Sequence, residues 1–168
     1  MNKFLRYIPA LAVVFAMTAC QSNDEENFAN KGYINAQSMV SETIVKGNAA
    51  PQEKTVNITL ARPAENDINA TIDVDASLLD IYVKAYYANA DITKLLPSHC
   101  YETENDKVKI QKGSVKSDDA KFLFKNLGTL SRDSVYVLPV AVHTTDISLL
   151  ASASKYYFVF RAGALINV

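Results

Sequence analysis

The sequence predicts an all-β protein, an immunoglobulin-like two-sheet β-sandwich with one short crossover helix. From Ser41 onward, short runs of alternating apolar and polar residues recur at the spacing of about 10 residues that is typical of sandwiches. Only one segment has apolar residues at helical spacing, which is too little helix to cover both faces of a parallel sheet. We therefore expect one β-sandwich domain over residues 41–168.

The first 20 residues have the layout of a secretory signal. Two basic residues precede an apolar stretch, and Thr18 and Ala19 are small residues directly before Cys20. The apolar stretch is too short for a membrane-spanning helix, which needs about 20 apolar residues. The Met-Thr-Ala-Cys ending resembles a bacterial lipobox, which implies a lipoprotein signal peptide over residues 1–19 and lipid attachment at Cys20. The membrane is then a partner through the lipid anchor.

Residues 20–40 are expected to be the lipidated cysteine and a flexible acidic linker. The run Gln21–Asn27 is polar and acidic and has no periodicity, as is typical of a spacer. The same run resembles the export signal by which Bacteroidota send lipoproteins to the outer face of the outer membrane. Both interpretations stay open, because the same segment can act as a flexible spacer and as an export signal. The expected location is the outer membrane, lipid-anchored and exposed at the cell surface.

The charge of the chain excludes one class of partner. The signal peptide holds two of the 17 basic residues and none of the 18 acidic ones, so the remainder is mildly acidic. Such a balance argues against nucleic acid as a partner.

The strongest strand pattern lies at residues 55–60, where three apolar side chains alternate with polar ones. Further strands are expected at Thr71–Asp75, Lys107–Ile110, Phe122–Phe124, Val135–Val142 and Lys155–Arg161. Pro139 favours a bulge or a solvent-facing edge position in its strand. Tyr136 is expected to make a hydrogen bond at a sandwich corner. The inward positions that should form the core are Val56, Ile58, Leu60, Ile72, Val74, Val108, Ile110, Val137 and Val142.

The segment Ser77–Ala90 predicts the helix. Its cap is either Ser77, in a variant capping box with Asp80, or Asp75 just upstream. Four apolar residues are spaced so that they share one helix face. They are Leu78, Tyr82, Ala85 and Tyr86.

The stretch from Thr71 to Val142 resembles a known family, the Bacteroidota surface-lipoprotein domain of unknown function. This domain is found N-terminal to some endo-β-N-acetylglucosaminidases and in glycan-utilisation lipoproteins. The order and spacing of several short motifs carry the resemblance. They are Val74-Asp75, the helix from Ser77 through Tyr82, Leu96-Pro97, Tyr101, Val108-Lys109-Ile110 with Lys112-Gly113, and Tyr136–Val140.

The resemblance implies a β-sandwich, an outer-membrane lipoprotein, and work on glycans or near glycan-uptake machinery. It implies no catalytic residues, because the enzymes of the family carry catalysis in a separate domain. Glycans and outer-membrane glycan-uptake proteins are therefore the candidate partners. No enzyme activity and no cofactor are expected.

The residues themselves also speak against catalysis. Asp73 and Asp75 share a strand face, but an outward position solvates both carboxylates and raises neither pKa. His99 and Cys100 are neighbours that point to opposite faces of an extended segment. His143 is the one other histidine in the sequence, too few for a zinc site without carboxylate ligands. We expect no metal site.

Binding is the better-supported kind of function. Tyrosine rings stack on the apolar faces of sugars, and the candidate ligand-binding residues are Tyr86, Tyr87, Tyr156 and Tyr157. Neighbouring rings in each pair should face different directions, so at most one of each pair is buried. The alternative is a structural, docking or adhesion module without glycan binding. Its edge strands would come from residues 66–74 or 155–168.

Overall fold

The structure is a computed structural model, and it describes residues 31–36, 38–47 and 50–163. The strands in this part of the chain are β1 (Lys31–Ile34), β2 (Val40–Val45), β3 (Gln52–Val56), β4 (Ile58–Leu60), β5 (Ile68–Val74), β6 (Thr93–Leu95), β7 (Tyr101–Glu104), β8 (Lys107–Ile110), β9 (Ala120–Phe124), β10 (Val135–His143), β11 (Ser148–Leu149) and β12 (Lys155–Ala162). The helix α1 spans Leu79–Ala85. Short 3₁₀ turns lie at Ala76–Leu78, Ser98–Cys100, Leu127–Thr129 and Ala151–Ala153. The predicted signal peptide and Cys20 lie outside the described residues.

One large sheet and two small ones make up the fold. The large sheet has the strand order β2-β12-β10-β5-β8, and β6 pairs with β10 beside β5. The small sheets have the orders β11-β1-β4 and β3-β9-β7. Because a single residue, Asn57, separates β3 from β4, the two small sheets follow one another along the same chain segment. Together they form the second layer of the sandwich.

The core lies between the large sheet and the two small ones. Phe158 on β12 contacts Phe122 and Phe124 on β9, with ring centroids 5.3 and 5.0 Å apart. Ile34 and Ile58 of the other small sheet belong to the same buried cluster. Alternate residues of each strand point into this layer, as the pleat requires.

Strands β10 and β12 are buried on both faces, and this explains the position of the helix. Their residues that do not face the core, such as Val137 and Val159, pack against Leu78 and Tyr82. A strand with two buried faces reads as a continuous apolar run, which is what Val135–Val142 is. The all-β sandwich with one short helix is confirmed.

The predicted core is confirmed with one qualification. Eight of the nine inward residues named from the sequence are buried, and Val74 is half-buried and packs against the core. Val137 faces α1 rather than the second layer.

The predicted strand 55–60 is broken at Asn57, which was expected to point outward. Asn57 is buried, and its side-chain amide donates to Asp119 Oδ1 at 2.9 Å. The next backbone N–H, of Ile58, donates to Ser117 Oγ at 2.9 Å instead of continuing the ladder. These two hydrogen bonds satisfy the Asn57 amide group and the Ile58 N–H where the chain passes from one small sheet to the other, while the buried Asn57 Oδ1 has no hydrogen-bond partner among the described residues.

The expectation for Pro139 was wrong, because this residue lies in the buried middle of a central strand. On one side it pairs with Tyr157 of β12. On the other side its carbonyl accepts the N–H of Asp75 at 3.1 Å. Pairing with β6 ends at Val137 and pairing with β5 begins at Val140. The proline therefore occupies the gap between two neighbours, where no strand requires its missing N–H.

The two segments suggested as edge strands are not edges of the large sheet. β5 lies between β10 and β8, and β12 lies between β10 and β2. The outer strands of the large sheet are instead β2 and β8. The more apolar strands lie in the middle, because pairing between segments distant in the sequence buries them there.

The sandwich also begins before residue 41, the boundary expected from the sequence. β1 pairs with β4 and β11 inside the predicted linker. Gly32 takes an inward position of this short strand, and a Cβ there would lie 2.7 Å from Ile147 Cδ1. The inward position thus carries no apolar side chain, which is why β1 shows no strand pattern.

Candidate functional site

The helical segment has Asp75 as its N-cap. It ends just before Tyr86 and Tyr87, two of the tyrosines predicted to bind a ligand. The Asp75 carboxylate accepts from the Ser77 hydroxyl at 2.6 Å and from the Ser77 N–H at 3.0 Å. The alternative cap is thus the one that forms. The helix is shorter than expected, since it ends at Ala85, and both Ala85 and Tyr86 are exposed.

Tyr87 is the most unusual aromatic residue of the described chain. It is 95% exposed, and its φ of +51° places it in the left-handed region. The N–H of Ala88 donates to the carbonyl of Val83 at 3.0 Å and closes the helix over it. Glycine is the usual residue here, and a bulky side chain costs about 1–2 kcal/mol in this conformation.

A tyrosine cluster lies beside Tyr87. The rings of Tyr82 and Tyr157 have centroids 5.1 Å apart, and Tyr86 lies 5.1 Å from Tyr82 and 5.9 Å from Tyr157. Tyr157 is only 4% exposed, whereas Tyr86 is 45% exposed. Burial raises the pKa of the Tyr82 and Tyr157 hydroxyls, so both stay protonated donors at neutral pH.

The structure brings three of the four predicted tyrosines to one side of the large sheet. Tyr156 points to the other side, where its ring packs on Phe158 with centroids 4.9 Å apart. The expectation that neighbouring rings diverge is met at Tyr156 and Tyr157. Tyr86 and Tyr87 are both exposed because they follow a helix rather than lie in a strand. Ligand binding by these residues stays a prediction.

A polar groove of about 830 Å³ lies further along the same sheet. It is formed by β5, β8, the end of β10, the loop 144–146 and Leu149 of β11. Ile68, Ala70 and Ile72 of β5 point into the core, so Asn69 and Thr71 point out of it. Thr71 pairs with His143 on one side and with Lys107 on the other.

The loop 144–146 is held in place as one wall of the groove. The carboxylate of Asp146 accepts the backbone N–H of Asn69 at 2.8 Å, and the hydroxyl of Thr144 donates to the Asn69 carbonyl at 2.7 Å. Pairing between β10 and β5 has already ended at His143 and Thr71. Side chains of the loop thus replace the missing ladder partner of Asn69.

Two basic side chains at the groove lie beside carboxylates. His143 Nε2 lies 3.1 Å from Asp73 Oδ1, and Lys109 Nζ lies 2.7 Å from Asp67 Oδ2. Such exposed pairs contribute little to stability. Lys107 and Asp146 also line the groove, so basic and acidic groups are mixed there.

The carboxylates near the groove do not have the properties of a glycosidase pair. The hydrogen bond from the Ser77 hydroxyl, with help from the Ser77 N–H, holds the pKa of Asp75 below its usual range. A general acid needs the opposite shift. Asp73 Oδ1 lies 3.1 Å from His143 Nε2 without a hydrogen bond to it.

In the described part of the chain, the cysteine and histidine side chains that could serve as a nucleophile or as metal ligands do not form a reactive site. Cys100 is buried, burial raises the pKa of its thiol, and His99 beside it is exposed. Among the described residues no cluster of three or more His, Cys, Asp and Glu side chains could hold a metal ion. None of the helices in that part of the chain has the length and apolarity to cross a membrane.

Reasoning from the sequence missed the groove. Thr71 and Lys107 occupy outward positions of predicted strands, which the alternation does indicate, whereas His143 lies one residue beyond the predicted strand Val135–Val142. Their adjacency depends on which strands pair and in which register, and no local signal carries that information.

These features define a class of protein: a small all-β sandwich domain whose large sheet is covered by a helix on one half of its outer face and carries a polar groove on the other. The chain belongs to a family of N-terminal domains, whose model matches residues 28–149. No curated protein matches the sequence.

Several solved structures share the fold. A Bacteroides ovatus protein to which carbohydrate binding has been ascribed has a TM-score of 0.68 and 21% identity over 80% of this chain and 37% of its own. A two-domain Bacteroides fragilis protein of unknown function has a TM-score of 0.66 and 13% identity over 84% and 48%. EndoBT-3987 of Bacteroides thetaiotaomicron, solved with a Man5GlcNAc product, has a TM-score of 0.59 and 18% identity over 72% and 28%.

The chain spans less than half the length of each of these three structures. At such identities they show the fold alone. Together with the family match they confirm the resemblance that was drawn from residues Thr71 to Val142.

Proposed function

We propose that this protein is a non-catalytic accessory of extracellular glycan binding and utilisation. In this proposal it is anchored to the outer membrane by lipid on Cys20 and exposed at the cell surface. The observation that carries the proposal is Tyr87, a fully exposed ring kept in a backbone conformation that favours glycine. Strain of this kind persists where a side chain is needed for function.

The neighbourhood of Tyr87 suits a sugar. An exposed aromatic ring offers a flat apolar surface to the C–H face of a pyranose, and Tyr86 beside it adds a partly exposed ring. The carbohydrate binding ascribed to the Bacteroides ovatus protein of the same fold supports the proposal. So does the lipobox before Cys20.

The test is a glycan array of host N-glycans, mucin glycans and plant polysaccharides, probed with the chain from Ser22 onward. We expect specific binding to one class. Tyr87→Ala should lose most of that binding, and Tyr87→Phe, which keeps the ring, should retain it. A folded protein that binds no glycan would contradict the proposal.

A second function has one specific observation in its favour. β2 is an outer strand of the large sheet, and Ile44 on it is exposed. An open strand edge with an apolar side chain can pair with a strand of another protein. A blank array with folded protein would favour this docking or adhesion role.

A further inference from the structure

The outer face of the large sheet is divided in two. Up to Pro139 it is apolar and covered by α1, as Val137 and Val159 show. Just beyond Pro139, Ala141 still belongs to this buried cluster; from His143 onward the outward side chains are polar and exposed. The boundary is the pair Pro139–Tyr157, where Tyr86 contacts the ring of Tyr157.

Strand register places the uncovered residues in successive rows. In the first row Ala141 is buried, and the outward residues beside it are Lys155 on β12 and Asp73 on β5. The next row holds His143 and Thr71.

Two further pairs complete the surface. Lys107 extends the row of Thr71, and Asn69 pairs with Lys109 in the last row. Residues two apart on a strand lie about 6.7 Å apart, so the rows from Tyr157 to Asn69 extend over about 20 Å. We call this surface, from Tyr86 to Asn69, the polar track.

We infer that the polar track is the glycan site and that its ligand is a neutral oligosaccharide lying along β5 and β10. This inference rests on the proposed function and adds the place and the chemical class of the ligand. The length of the track fits several linked sugars rather than one.

The far end of the track is preformed. The loop 144–146 is tied to the backbone of Asn69 by the side chains of Asp146 and Thr144. It therefore forms the groove without needing a ligand to order it. A wall that is already in place lowers the entropy cost of binding.

The charges favour a neutral ligand. Three lysines, Lys107, Lys109 and Lys155, lie on or beside the track. Three carboxylates, those of Asp67, Asp73 and Asp146, lie among them, so the charges balance when His143 is neutral. Hydroxyl groups of a neutral sugar both donate and accept hydrogen bonds. That matches a surface of mixed Thr, Asn, Lys and His side chains.

The test uses a double variant, Lys107→Ala with His143→Ala, and a matched control, Lys94→Ala with His99→Ala. All four side chains are exposed, so both variants should fold. Calorimetry with mannohexaose, xylohexaose and hexagalacturonate, and with any oligosaccharide bound on the array, measures affinity. We expect the track variant to lose about tenfold in affinity for a neutral ligand, as the loss of one or two hydrogen bonds implies. The control should bind like the unmodified chain.

The salt dependence gives an independent readout. Binding of a neutral ligand should change less than about twofold between low and high salt, since no charge pair is screened. Binding of hexagalacturonate alone would overturn the neutral class.

The remaining outcomes separate the inference from the function on which it rests. If the track variant binds as well as the unmodified chain while Tyr87→Ala does not, the inferred site is wrong and the glycan function stands. If the unmodified chain binds no glycan at all, both are wrong.

Discussion

The hydroxyl of Tyr136 accepts the backbone N–H of Ser131 at 3.3 Å and ties the approach to β10 back onto the strand itself. Tyr136 is buried and points into the core from the start of the longest strand. The corner hydrogen bond expected for this tyrosine is confirmed, and it links a loop to the central strand of the large sheet.

Tyr136→Phe should lower the free energy of unfolding by about 1 kcal/mol, the usual value of one such hydrogen bond. Urea denaturation measures it. Tyr87→Phe removes a hydroxyl that is exposed to water and serves as the control, with a change below about 0.5 kcal/mol. Equal effects of the two substitutions would mean that the corner bond contributes nothing.

Ile72→Asp should prevent folding, because Ile72 is fully buried in the core. An unpaired carboxylate there costs more than about 4 kcal/mol. Thr71→Asp changes the adjacent, outward residue between Lys107 and His143 and should fold. Circular dichroism and thermal melts compare the two. A soluble Ile72→Asp variant that melts cooperatively would show that the register of β5 is wrong.

Asp75→Asn should destabilise the start of the helical segment by about 0.5 kcal/mol at neutral pH, because asparagine keeps an acceptor oxygen at the N-cap and loses only the negative charge. The Ser77 hydrogen bonds lower the pKa of Asp75 in the folded state. The stabilisation is therefore complete above the unfolded pKa of about 3.9 and is lost as the pH falls through the lower folded value. Stability curves of both proteins between about pH 7 and pH 2.5 should converge at the acid end. A constant difference would exclude the carboxylate as its source.

Tyr87→Gly and Tyr87→Ala separate backbone strain from ring function. Both remove the ring, but only glycine relieves the left-handed conformation of φ +51°. We expect Tyr87→Gly to be about 1 kcal/mol more stable than Tyr87→Ala, and both to lose glycan binding equally. Denaturation and array binding measure the two effects. A glycine variant no more stable than the alanine variant would show that position 87 is unstrained.

Cys20→Ala tests the anchor. Cells grown with an alkyne-labelled fatty acid should incorporate the label into the unmodified protein and not into the variant, because the proposal places the lipid on this thiol. Cys100→Ala is the matched control, since Cys100 is buried and should leave labelling unchanged. A labelled Cys20→Ala protein would contradict the lipobox interpretation.

Local pattern was enough to predict most strands and the core. Lys107–Ile110 coincides with β8, and the inward positions Ile72, Val108 and Ile110 are all buried. Alternation has this power because burial of one sheet face follows the two-residue period of the pleat.

The local sequence pattern gave wrong predictions where the position of a residue depends on a partner far away in the sequence. Pro139 is tolerated in the middle of β10 because pairing with β6 ends before it and pairing with β5 begins after it, so its missing N–H interrupts neither pairing. Asn57 is buried because Asp119, 62 residues away, accepts its amide. The strand β1 was not predicted because glycine, which has no apolar side chain, occupies its inward position 32 next to Ile147.

The sequence by itself therefore determined the class of fold and the buried face of each main strand. Only the tertiary structure decided that Thr71, Lys107 and His143 form one surface and that Tyr86 lies over Tyr157. The reason is physical. Periodicity records whether a side chain meets water or protein, whereas the identity of its neighbour is set by strand order and register, which depend on the packing of the whole chain.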